Sequence, residues 1–98
     1  MRKQDPRYSL IRPMLADGKI QTFTDAFEFI KKSVVARDIG KKVERFTELM
    51  NDVDDFRVGE LRMMAKLFNL TLEQMFHLIA REVEKKKSTI DFNLDESS

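Results

Sequence analysis

Apolar residues recur at helical spacing along most of this chain, and no stretch sustains the apolar–polar alternation of a strand. Leu10, Ile11, Met14 and Leu15 form a first cluster, interrupted by Pro13. Proline suits a first helical turn, so a short helix is expected near it, stopped by Asp17-Gly18. Thr22 or Thr24 can cap a second helix with Phe23, Phe27 and Ile30 inward. Further helices are expected at about 32–39, 42–50 and 57–68. Within them Val35, Ala36 and Ile39 share one face, Gly40 follows at once, and Phe46 and Leu49 lie three apart. A small residue, an apolar one, a glycine and then two inward residues is the spacing of two short helices packed at a steep angle. Asn69 can close the 57–68 helix in the left-handed conformation with Leu70 folding back. Thr71-Leu72-Glu73-Gln74 has the form of a capping box, and Leu72, Met75, Phe76, Ile79 and Val83 make a long stripe after it. The predicted core joins Val35, Ala36, Ile39, Phe46, Leu49, Leu61, Ala65, Phe68, Phe76 and Ile79, with Met63, Met64 and Met75 as filler.

These elements divide the chain into an N-terminal arm with a short apolar helical segment (1–18, loose over 1–8), a helical domain (19–87) and a disordered acidic tail (88–98). The chain has 98 residues, 42% of them hydrophobic, which supports one small core. With no cysteine and one histidine, thiolate metal sites and sites needing two histidines are excluded. No nucleophile–base pair or Gly-rich phosphate loop appears, and Asp52, Asp54 and Asp55 lack the glycine and distal glutamate of a calcium loop. Neither an enzyme nor a bound metal or cofactor is expected. No apolar run approaches the roughly 18 residues of a membrane span, and MRKQDPRY lacks the core of a signal peptide, so a soluble cytoplasmic protein is expected.

Net charge is only +1, but its distribution is uneven. Over 31–45, Lys31, Lys32, Arg37, Lys41, Lys42 and Arg45 face only Asp38 and Glu44. Over 48–60, Glu48, Asp52, Asp54, Asp55 and Glu60 face only Arg57. Taken alone, such clusters are ordinary solvated faces; beside the two-helix pattern they put positive potential where a groove-binding unit would need it.

Residues 20–80 resemble the Cro/repressor-type (XRE-like) helix-turn-helix domains. The resemblance rests on Val35, Ala36, Ile39 and Gly40, on Phe46 and Leu49 six and nine positions after that glycine, and on Val58, Leu61, Ala65, Phe68 and Thr71-Leu72 at the family's later helix positions. Three positions depart from it: Lys42 stands where the family has a Ser or Thr cap, Lys31-Lys32 where it has Thr-Gln, and Arg57 where the next helix is capped. The resemblance implies a lambda-repressor-like, all-α helix-turn-helix bundle of about five helices, with the 42–50 helix in the major groove of DNA and the 32–39 helix across the backbone. On that reading Val43, Glu44, Thr47 and Glu48 face the groove. Val43 would meet a thymine methyl and Glu44 a cytosine amino group. Lys32, Lys41, Lys42, Arg45 and Asn51 would contact phosphates. The implied function is sequence-specific binding of double-stranded DNA by a small transcriptional regulator, as a dimer paired through the last helix at Leu78. The alternative is the same fold as a protein-interaction module, antitoxin-like or a phage or plasmid accessory factor, that has lost DNA binding.

Overall fold

In the computed structural model, which describes the backbone of residues 4–97 and the side chains of 4–86, helices and turns account for all regular structure. A 3-10 turn at Pro6–Leu10 leads into α1 (Ile11–Ala16), and a second 3-10 segment occupies Phe23–Glu28. Then come α2 (Lys32–Asp38), α3 (Val43–Asn51), a short 3-10 turn at Val53–Asp55, α4 (Val58–Phe68) and α5 (Leu72–Ser97). The result is the small all-α bundle that the apolar spacing predicts. The acidic 88–98 segment, expected to be a disordered tail, lies outside the residues whose side chains are described.

Three of the helices end in the same local device. At Gly18 (φ 78°), Gly40 (φ 76°) and Asn69 (φ 59°) the backbone turns left-handed. The next residue's N–H then reaches back to a carbonyl of the last turn: Lys19 to Met14 at 2.9 Å, Lys41 to Ala36 at 2.8 Å, and Leu70 to Ala65 at 2.9 Å. This pairing satisfies carbonyls that a helix end leaves free, and glycine or asparagine is found there because a Cβ opposes the left-handed region in most other residues. At the start of α5, Thr71 Oγ1 accepts from Gln74 N–H at 3.0 Å, and Gln74 Oε1 accepts from Thr71 N–H at 2.8 Å. The capping box read from the sequence is therefore complete.

The core is organised by aromatic rings. Phe23, Phe27, Phe46 and Phe56 form a closed cycle of edge-to-face contacts, with centroids 5.2 to 5.7 Å apart. Phe68 extends it through Phe27, and Tyr8 packs on Phe68 at 5.9 Å. The cycle ties the Phe23–Glu28 segment to α3 and to the residue after the Val53–Asp55 turn. Around it lie Ile11, Ile20, Ile30, Val35, Ala36, Ile39, Leu49, Leu61, Met64, Ala65, Met75 and Leu78, all buried.

Several expectations are corrected. Residues 1–8 are not loose throughout, because Tyr8 enters the core and its hydroxyl donates to Asp38 Oδ2 at 2.7 Å. The expected helix after Thr22 is a 3-10 segment, begun by the Asp25 carboxylate, which accepts from the N–H groups of Gln21 and Thr22. The stripe of α5 is rotated from the predicted phase: Leu78 is 1% exposed and Phe76 41%, while Ile79 is only partly buried. Met75, Leu78 and Glu82 face the bundle because α5 packs between α4 and the Phe23–Glu28 segment, and local spacing does not reveal on which side those neighbours lie. Leu78 is therefore core and offers no pairing surface. Met63 and Val58, expected as filler and as an inward family position, point to solvent on α4.

Candidate nucleic-acid interface

The candidate unit is α2, the turn at 39–42 and α3. Val35 and Ala36 of α2 and Phe46 and Leu49 of α3 are buried, which fixes the opposite face of α3 outward. On that face Glu44, Arg45 and Glu48 are exposed, and Val43 and Thr47 are half-buried. The Thr47 hydroxyl donates to the Val43 carbonyl at 2.9 Å, so it is turned along its own helix. Arg45 and Glu48 approach to 4.0 Å, a long contact between exposed side chains that holds neither firmly.

Lys32, at the first position of α2, and Lys42, just before α3, lie at the protein surface, and among the described residues neither pairs with an acid. Lys42 leaves the start of α3 without a side-chain cap, as expected where lysine replaces Ser or Thr. Lys41 differs from its neighbour. Its ammonium forms an ion pair with Glu60, and both side chains are largely buried. Glu60 Oε1 also accepts from the Arg57 N–H at 2.8 Å, the acidic half of a capping box, while Arg57 itself gives α4 no side-chain cap of the Ser or Thr kind. Burial alone would raise the Glu60 pKa, but the Arg57 N–H and Lys41 outweigh it and hold the carboxyl below its ordinary value. Lys41 thus ties the turn to α4, and a phosphate contact from it would have to break that pair.

The far ends of both helices are also held. Asp38, the last residue of α2, accepts from Tyr8, whose hydroxyl is pushed well above its ordinary pKa by burial and by that carboxylate. Asn51, the last residue of α3, has an exposed side chain, but its carbonyl and that of Met50 accept from Lys86 Nζ at 2.7 and 3.0 Å. The last turn of α3 contains no basic residue, so the cation complementing its dipole arrives from α5. Glu82, one turn earlier on α5 and 3% exposed, takes the opposite role. Its carboxylate accepts from Thr24 N–H at 2.9 Å and from Thr24 Oγ1 at 2.7 Å, near the start of the Phe23–Glu28 segment.

The sequence pattern assigns no such tethering role to Glu60, Glu82 or Lys86, although two signals are present. Glu60 stands three residues after Arg57, the spacing of the acidic half of a capping box. Glu82 and Lys86 sit four apart on the continuation of the Met75–Leu78 face, where charge interrupts an apolar stripe. His77 is exposed. No helix among the described residues is long and apolar enough to cross a membrane. Comparison with family models, with curated proteins and with solved structures finds no match to this chain.

Proposed function

We propose that this protein is a sequence-specific DNA-binding regulator of the XRE-like helix-turn-helix type, with α3 as its reading helix. The observation that carries the reading is the division of α3 into two faces. Phe46 and Leu49 anchor it in the core, while Glu44, Arg45 and Glu48 remain exposed; Lys42, also exposed, immediately precedes the helix, and Lys32 is exposed at the start of α2. An exposed helix face flanked by cations suits a major groove edged by phosphates. Lys32, Lys42 and Arg45 are assigned to phosphates. Val43 and Glu44, in the first turn of α3, are assigned to base edges, where a carboxylate accepts only from a donor such as the cytosine amino group. One such unit makes few phosphate contacts, so binding is expected to involve a dimer on a two-fold site, paired through a surface other than the buried Leu78.

Selection of duplexes from a random pool, followed by titration over a salt series, tests the reading. Lys42→Ala and Arg45→Ala should weaken binding to all duplexes alike and reduce the slope of log affinity against log salt by about one unit for each phosphate no longer neutralised. Glu44→Ala should relax preference at one base pair by about 1–3 kcal/mol and leave the slope unchanged. One observation favours a second reading, a protein-interaction module: Lys41, in the middle of the basic cluster, is already consumed by Glu60. Selection of no duplex, with the lysine and arginine variants behaving as the parent, would favour that module.

A further inference from the structure

We propose that Lys86 is a positioning residue for base reading by α3, an inference that rests on the DNA-binding reading above. α3 is a nine-residue helix whose first turn has no side-chain cap and whose last turn has no cation of its own. Phe46 and Leu49 fix which face it buries and Met50 packs partly against the core, but apolar contacts of this kind are not directional. Lys86 supplies a directional restraint at one end. Its ammonium bonds the carbonyls of both Met50 and Asn51, and it stands on α5 four residues beyond Glu82, which is buried and bonded to Thr24. Glu82 fixes the register of α5 on the bundle, and Lys86 transmits that register to the end of α3. At the other end, the Lys41–Glu60 pair holds the preceding turn on α4. Base contacts require side chains placed within a fraction of an ångström, whereas phosphate attraction tolerates displacement. Loss of Lys86 should therefore reduce discrimination between duplexes more than it reduces attraction to DNA in general.

The test uses the full chain, a duplex selected by it from a random pool, and a scrambled duplex of the same length. Lys86→Met keeps the aliphatic stem and removes the donor. It should weaken binding to the selected duplex about tenfold and leave the scrambled duplex within about twofold, with the salt slope unchanged. Lys86→Arg, which can still donate to both carbonyls, should restore most of the preference. Met14→Ala, a destabilising change placed in α1, should keep the preference, because it does not touch the end of α3. Without DNA, amide hydrogen exchange at residues 50–52 should be faster in Lys86→Met. Equal weakening on both duplexes with a slope lower by about one unit would make Lys86 a phosphate contact and overturn the proposal. So would unchanged exchange at 50–52. If the parent protein selects no duplex and Lys42→Ala and Arg45→Ala change nothing, the DNA-binding reading fails, and this role of Lys86 with it. If those variants weaken binding while Lys86→Met keeps full preference, only the Lys86 proposal fails.

Discussion

Replacing Phe46 with alanine removes the side chain that α3 contributes to the closed cycle of phenylalanines. Phe46 is completely buried and meets Phe27 at 5.6 Å and Phe56 at 5.7 Å, both edge to face. Truncating such a ring leaves a cavity that a rigid aromatic surround fills poorly, so the expected cost is about 3–5 kcal/mol. A chain of this size has a total stability of about 5–15 kcal/mol, so the variant would be marginal or unfolded at the lower end. Phe46→Leu separates two contributions. It keeps most of the volume and removes the two ring pairings, at about 0.5–1.5 kcal/mol each, giving roughly 1–3 kcal/mol in all. Urea unfolding followed by far-ultraviolet circular dichroism measures both variants, with the slope m checked against the parent so that the comparison concerns stability alone. A cost below about 1 kcal/mol for Phe46→Ala would refute the assignment of Phe46 to the core of the α2–α3 unit. Equal costs for Leu and Ala would show that ring geometry, and not volume, matters there.

Gly40→Ala should cost about 1–2 kcal/mol from its left-handed backbone alone, because a Cβ there would meet no atom within 4 Å; Gly59→Ala, in the first turn of α4 with equally open surroundings, should instead stabilise by about 0.4–1 kcal/mol, and paired thermal melts decide both. Glu82→Leu should cost about 1.5–3 kcal/mol by leaving the Thr24 N–H and hydroxyl without their acceptor, while Glu82→Gln should cost less, as read by urea midpoints. Three carboxyls are held low in the folded state. The Arg7 side chain and N–H bring Asp5 to about 2, and the Gln21 and Thr22 N–H groups and the Lys41 and Arg57 contacts lower Asp25 and Glu60 against their burial. Since their folded values lie below the unfolded ones, near 3.9 and 4.3, their contribution is fully present above about pH 5 and is lost as pH falls through the folded values. Urea midpoints should therefore drop between about pH 5 and pH 2, less so in Glu60→Gln, and a midpoint constant over that range would contradict the pairing.

Much of the local structure was legible in the sequence, because helix ends are decided by residues within a turn of one another. Gly18, Gly40 and Asn69 mark left-handed stops, and Thr71 with Gln74 marks a start; each is found where the pattern puts it. The inward pair Phe46 and Leu49 was equally readable, since Val35, Ala36 and Gly40 restrict how two short helices can pack. The tertiary structure alone decided the phase of α5. Phe76 and Leu78 are both apolar and both compatible with a helical stripe, and the choice between them belongs to α4 and the Phe23–Glu28 segment, which approach from sides that local spacing does not encode. It also decided which charges are spent inside the fold. Lys41 and Lys42 are adjacent and chemically alike, yet the turn at Gly40 carries one onto Glu60 and leaves the other in solvent. Glu82 and Lys86 find partners 58 and 35–36 residues away, because free N–H and C=O groups at distant helix ends come within reach of α5 only when the bundle closes. The stops at Gly18, Gly40 and Asn69 and the start at Thr71 are local problems, whereas charge partners, including those that reach other helix ends, are global ones, and that is the physical reason the first could be read along the chain and the second could not.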